Sequence, residues 1–274
     1  MTSVFRRLPP AAPVSAVSPA ARAALALEGI SLSFGGIHAL RDVSFDVRPG
    51  EIRAVIGPNG AGKSSLMNVI SGLYDADEGA VRLGGQAFRK VPPHRLAELG
   101  VARTFQNLAL FPGLSVAQNI ASGLAFRRRA GLGAQVLGLP QARREEARAD
   151  ARVQEVAGFL GIAAQLDRPV ATLPYGLQKQ VDLARALAAE PQLLLLDEPM
   201  AGLTATEKAA MARQIRALRD RLGLAIVLIE HDIGVVMELS DRIAVLDHGV
   251  KIADGAPEAV RHDPEVIRAY LGDA

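Results

Sequence analysis

No cysteine occurs anywhere in the 274 residues. Disulfides, thiolate zinc sites and cysteine nucleophiles are therefore excluded, and a reducing compartment is compatible with the chain. Long apolar runs are missing too. The nearest approach, Leu222 to Ile229, is interrupted by Gly223 and falls far short of the roughly 20 residues that a membrane-spanning helix needs. Work at a membrane would have to pass through a partner. Charge of one sign is also scarce: 31 Lys and Arg are interspersed with 29 Asp and Glu, for a net charge of +2. No dense basic stripe marks a nucleic-acid binder. Aromatics make up only 4% of the chain, whereas 49% is hydrophobic, which is ample for a packed core.

What is present begins with an extension. Residues 1–24 are rich in Ala, Pro and Ser, and Arg6 and Arg7 precede no apolar core of the kind a secretory signal has. This composition predicts disorder. From Leu25 the pattern turns to short strands, Leu25 to Ser33, Ser44 to Val47 and Glu51 to Ile56. The last of these runs into the loop Gly57-Pro58-Asn59-Gly60-Ala61-Gly62-Lys63-Ser64, and a helix is expected from Ser64 to Ser71. Strand, glycine loop and helix in this order make a phosphate cradle. The glycines let backbone N–H groups turn inward, and the helix N-terminus adds partial positive charge. Lys63 is placed to reach the β- and γ-phosphates of a nucleotide, and the Ser64 hydroxyl to ligate Mg2+.

A second strong signal is Leu193 to Leu196 followed by Asp197-Glu198. The apolar run suits a parallel strand buried on both faces, and the carboxylates fall at its C-terminal end, where open α/β sheets bind ligands. Asp197 would hold Mg2+ and Glu198 would polarise the attacking water. Ala225 to Ile229 repeats the pattern and ends in Glu230-His231-Asp232. His231 is either a surface residue or, beside a γ-phosphate, a hydrogen-bonding link to the water. Phe34, in Phe34-Gly35-Gly36, is equally a turn aromatic or a stacking platform for an adenine ring. Hairpins are expected around Gly84-Gly85 and between Ile243 to Leu246 and Val250 to Ala253. Residues 121–165 read as helical, with Val153, Val156 and Leu160 on one stripe and the basic residues on a solvated face, with contact to lipid headgroups as the alternative.

Taken together, these stretches resemble the nucleotide-binding subunit of an ATP-binding cassette (ABC) transporter over residues 25–274. Within that family the likeness is to the LivG-type subunits of branched-chain amino acid importers. It is carried by Phe34-Gly35-Gly36, Arg103-Thr104-Phe105-Gln106, Ile229-Glu230-His231-Asp232 and the ending Pro264 to Gly272. The resemblance implies an α/β fold: a P-loop NTPase (RecA-like) core, an antiparallel β subdomain, an α-helical subdomain inserted at about 104–180 and a C-terminal tail over 256–274. It implies ATP and Mg2+ as nucleotide and metal, with Phe34 under the adenine and Gly57 to Ser65 on the phosphates. Gln106 would act in the Q-loop at both the metal and the water, Ser64, Gln106 and Asp197 would surround the metal, and Glu198 and His231 would be catalytic.

Partners follow from the same likeness: a second cassette, identical or paralogous, separate permease subunits, and indirectly an extracytoplasmic solute receptor. The place implied is the cytoplasmic face of the inner membrane. Cargo other than branched-chain amino acids, such as urea or amides, stays open. So does a nucleotide-gated module with weak turnover. A cassette acting on nucleic acid is disfavoured by the lack of a heptad insert, a second cassette or a basic stripe.

The family signature Leu-Ser-Gly-Gly-Gln departs here to Leu173-Pro174-Tyr175-Gly176-Leu177. Pro174 has neither the hydroxyl nor the N–H that would grip the phosphate on the opposite cassette, which leaves Leu173, Tyr175 and Gly176 at that nucleotide. A weakened composite site is expected. Thr204 stands where the family often carries Asp.

Overall fold

The structure, a computed structural model, describes residues 23–127 and 140–271. The first strands, β1 (Leu25–Phe34) and β2 (Ile37–Val47), pair antiparallel. Then come β3 (Ile52–Ile56), α1 (Lys63–Ile70), and the hairpin of β4 (Glu78–Leu83) with β5 (Gln86–Phe88). After β6 (Val101–Arg103) the chain forms α2 (Val116–Ser122), α3 (Pro140–Leu160) and α4 (Tyr175–Ala188). It returns to the sheet as β7 (Leu193–Asp197), α5 (Ala205–Leu222), β8 (Ala225–Ile229) and α6 (Ile233–Leu239). The hairpin of β9 (Arg242–Asp247) and β10 (Val250–Gly255) and the short helices α7 (Pro257–Arg261) and α8 (Pro264–Leu271) complete it.

The strands form two sheets, an antiparallel one in the order β2-β1-β4-β5 and a larger one in the order β10-β9-β3-β8-β7-β6. The larger sheet is parallel from β9 to β6, with β10 antiparallel at its edge. Strands β7 and β8 are apolar along both faces up to Asp197, because helices and the second sheet cover both. Alternation along β7 separates the faces: Leu194 and Leu196 join the helical layer of α2 to α5, while Leu193 and Leu195 join α1 and the antiparallel sheet. The architecture is thus the α/β core with antiparallel and helical additions that the resemblance implies.

β3, β8 and β7 are neighbours. Their C-terminal ends therefore bring Gly57, Glu230 and Asp197 to one edge of the sheet, the usual ligand edge of open α/β folds. A charged residue fixes β3 in place. Arg53 is fully buried, and its guanidinium donates to Glu51 (3.1 Å), Asp254 (2.5 Å) and the Asp46 carbonyl (2.6 Å). These bonds tie the strand that carries the phosphate loop to β2 and β10, and compensate a charge that would otherwise be costly to bury.

Several expectations need amendment. Of the extension expected over residues 1–24, positions 1–22 lie outside the described residues, but Ala23 is buried and the Ala24 N–H donates to Val47 O at 2.8 Å. Ala23 and Ala24 therefore already belong to the packed structure, ahead of Leu25. The helical region starts earlier than residue 121, because Ser115 and Gln118 form a capping box that opens α2 at Val116. Arg127 to Arg129 cannot be placed on any face: Arg128 and Arg129 lie outside the described residues. Arg152 is not on a solvated face. It donates to Glu155 (2.7 Å) and to Leu187 O (2.8 Å), joining α3 to α4.

Candidate active site

The phosphate loop is held open by its own backbone. Gly57 has φ +151°, and a Cβ there would stand 2.0 Å from Leu246 O; Gly62 has φ +100°, and a Cβ there would stand 2.5 Å from Ala39 O. Only glycine fits either position. Asn59, Gly60 and Ser64 are exposed, Pro58 and Ser65 half-buried, and Ala61 buried. Lys63 opens α1, and its Nζ donates to Gly57 O (2.7 Å) and Pro58 O (2.9 Å). These bonds tie the lysine back onto the start of its own loop. Burial pushes the Lys63 ammonium below its ordinary pKa, while the charge of Glu198 opposes the shift.

Glu198 sits just past β7 in the left-handed region, at φ +48°. That is uncommon for a side-chain-bearing residue and is held by surrounding bonds. Its N–H donates to Ile229 O (3.0 Å), and Gln106 Nε2 donates to its Oε2 (2.9 Å). His231 Nε2 lies 2.6 Å from Oε1. Since an ionised carboxylate only accepts, this distance fits a hydrogen on Nε2. The sequence-predicted Glu198, Gln106 and His231 are therefore one contiguous cluster.

Glu230, given no role by its sequence position, supports this cluster. It is buried, and its carboxylate accepts from the Met200 N–H (2.8 Å) and the His231 N–H (3.2 Å), joining the segment after Glu198 to the His231 loop. Burial pushes its carboxyl above the ordinary range; those amides and the charge of His231 oppose the shift, while Glu198 adds to it.

Asp197 is buried and paired with Arg103, whose Nη2 lies 3.0 Å from Oδ2. The other arm of Arg103 donates to Ser71 Oγ (2.6 Å) and Asn68 Oδ1 (2.9 Å) at the end of α1. Ser64, Asp197 and Gln106 carry hydroxyl, carboxylate and amide oxygens, hard donors of the kind Mg2+ takes. Among the described residues no group of three or more His, Cys, Asp or Glu could hold a metal. An ion here would draw its remaining ligands from phosphates and water, as Mg2+ usually does.

Phe34 ends β1 with its ring 47% exposed, edge-on to Tyr74 at 5.1 Å between centroids. Tyr74, unremarked in the sequence, braces an exposed ring that is free to stack. Pro174 is the N-cap of α4, and no side chain caps that end. Leu173 is buried, Tyr175 is exposed against Gly202, and the Gly176 Cα faces the Glu207 carboxylate, which a Cβ there would meet at 2.3 Å. Thr204 caps α5 in a box with Glu207. A carboxylate thus stands beside the open end of α4.

Residues 40–201 match the family described as ABC transporter, and residues 250–274 that described as branched-chain amino acid ATP-binding cassette transporter. The chain is similar to the high-affinity branched-chain amino acid transport ATP-binding protein LivG of Salmonella typhimurium, with 38% identity over 250 residues, covering 91% of this chain and 98% of that protein. It is also similar to BraF, the protein of that description from Pseudomonas aeruginosa, with 36% identity over 253 residues, covering 92% and 99%. Among solved structures, a nucleotide-free ATP-binding cassette from an ABC transporter superposes with a TM-score of 0.79 at 30% identity, covering 92% of this chain and 100% of that one. The ADP conformation of such a cassette gives a TM-score of 0.79 at 29% identity, covering 92% and 99%.

Proposed function

We infer, from the fact that this chain belongs to the ATP-binding cassette family of ABC transporters, that it hydrolyses ATP to drive import of branched-chain amino acids through separate permease subunits. The observation that carries the reading is the single cluster of Glu198, Gln106 and His231 beside the phosphate loop. The names of the relatives and the match over residues 250–274 support the cargo. No helix among the described residues is long and apolar enough to cross a membrane, so docking on permease subunits at the cytoplasmic face is the proposed location.

The residues divide the work. Backbone amides of Gly57 to Ser64 and the Lys63 ammonium bind the β- and γ-phosphates, and Phe34 stacks on the base. Ser64, Asp197 and Gln106 would hold Mg2+, which supplies charge neutralisation on the phosphate oxygens. Glu198 accepts a hydrogen bond from the attacking water and orients it in line. His231 holds the Glu198 carboxylate in place and can contact the γ-phosphate. Leu173, Tyr175 and Gly176 face the nucleotide of a second cassette, so nucleotide favours the closed pair.

Glu198→Gln tests the reading in the chain co-expressed with its neighbouring cassette and permease subunits. ATP binding should persist while hydrolysis and ATP-dependent uptake of labelled leucine fall by about 10²–10⁴-fold. Hydrolysis at the wild-type rate would remove Glu198 from the chemistry. The uncapped Pro174 end of α4 favours one rival, a nucleotide-gated module; uptake that survives Glu198→Gln would select it.

A further inference from the structure

Lys179 plays no part in the function above, yet it touches both halves of the catalytic cluster. It lies one turn into α4 and is only 5% exposed. Its Nζ donates to Gln106 O (3.3 Å) and Glu198 O (3.2 Å), and stands 5.7 Å from the centre of the Tyr175 ring. The side chains of Gln106 and Glu198 bond each other at 2.9 Å. Lys179 therefore closes a ring: side chain to side chain on one side, carbonyl to ammonium to carbonyl on the other.

The same face of α4 holds the loop again further along. Asp182, buried, pairs with Arg185 (2.5 Å), and Arg185 donates to Ala109 O (2.5 Å). Lys179, Asp182 and Arg185 follow at intervals of three, so one stripe of the helix grips the segment after β6 at Gln106 and at Ala109. A small cavity lies along this seam, lined by Thr104, Phe105, Lys179, Asp182 and Met211 among others, with the Thr104 hydroxyl buried and unbonded. The seam therefore combines hydrogen bonds from α4 with a small gap beside them.

We propose that Lys179 is a positioning residue for ATP hydrolysis, transmitting the position of α4 to Gln106 and Glu198. α4 begins at Tyr175 and Gly176, the residues offered to the second cassette's nucleotide. Displacement of that helix end on closure is carried by the ammonium to the carbonyls of Gln106 and Glu198. Glu198 depends on this support because its backbone is left-handed and both its N–H and its carbonyl are used to hold it there. An apolar side chain of the same length would fill the space, take from the Gln106 carbonyl its bond to the ammonium, and leave the Glu198 carbonyl with the Ala201 N–H (3.2 Å) alone.

The proposal rests on the ATPase reading, and the wild-type assembly with a Lys63→Ala control tests that reading separately. In the same assembly, Lys179→Met should lower kcat about ten- to a hundred-fold, as loss of an outer support for reacting groups does, with KM for ATP and the melting temperature little changed. Lys179→Arg should restore most of the rate. In a Glu198→Gln background, Lys179→Met should cost nothing further, because it acts through Glu198. Three results would overturn the proposal: kcat within about twofold of wild type in Lys179→Met, an additive loss in the double variant, or a loss in both Lys179 variants that parallels a fall in melting temperature.

Discussion

At the scale of single residues the site is organised by groups that compensate charge. Asp197 is buried, where a carboxylate needs a partner; the fork of Arg103 reaches it from β6 while also binding Asn68 and Ser71 at the end of α1. Arg103 thereby joins the carboxylate strand to the helix of the phosphate loop. Removing one member of such a pair leaves the other charged and unpartnered. Arg103→Ala should therefore cost about 3–5 kcal/mol of stability, read as a lower urea midpoint with unchanged slope. Arg103→Lys should recover only part of it, because a single ammonium cannot reproduce the fork. Nothing in the sequence pointed to this role beyond the family-like Arg103-Thr104-Phe105-Gln106 stretch. The partners are separated by 94 residues, and local pattern carries no information about such a pair. Glu230 and Tyr74 went unassigned for the same reason.

At the scale of elements, what was legible was what local pattern determines. The glycine loop, the apolar runs ending in Asp197-Glu198 and His231, and both hairpins follow from turn chemistry and periodicity. Helix ends were read less well, because caps are decided by single side chains. Ser115 moved the start of α2. Thr204, read from the family pattern as a departure, turns out to cap α5. Its hydroxyl donates to the Glu207 carboxylate (2.7 Å), and its oxygen accepts from the Glu207 N–H (3.4 Å). Thr204→Ala should lower stability by about 0.5–2 kcal/mol, measured by chemical denaturation at neutral pH. The Thr204 N–H and hydroxyl hold the Glu207 carboxyl below its ordinary pKa. Its contribution is therefore full above the ordinary carboxylate pKa and is lost as pH falls through the depressed value. The gap between wild type and Thr204→Ala should accordingly narrow toward acid pH without closing, because the backbone N–H of residue 204 survives the substitution and the bond from the Glu207 N–H to the hydroxyl does not titrate.

At the scale of the whole molecule, the two halves of a nucleotide site belong to different layers. The phosphate loop stands on α1, packed with the antiparallel sheet, whereas the signature residues stand on α4 in the helical layer. Within one chain, Tyr175 and Gly176 meet Gly202 and Glu207, while Lys63 meets Gly57 and Pro58. This placement in different layers supports the proposed reading, in which a second cassette presents its signature residues to the nucleotide on this chain's loop. Catalysis should then depend on association. For a pair of identical chains, ATPase rate per chain should rise with chain concentration, reach a plateau, and fall again on dilution. For an unequal pair, this chain alone should bind ATP and hydrolyse little at any concentration, and titration with the neighbouring cassette should raise the rate to saturation at one partner per chain. Sedimentation alongside the assay separates the two cases. A rate per chain that stays constant on dilution, in a sample sedimenting as monomer throughout, would contradict the shared site, because every group needed for hydrolysis would then have to come from one chain.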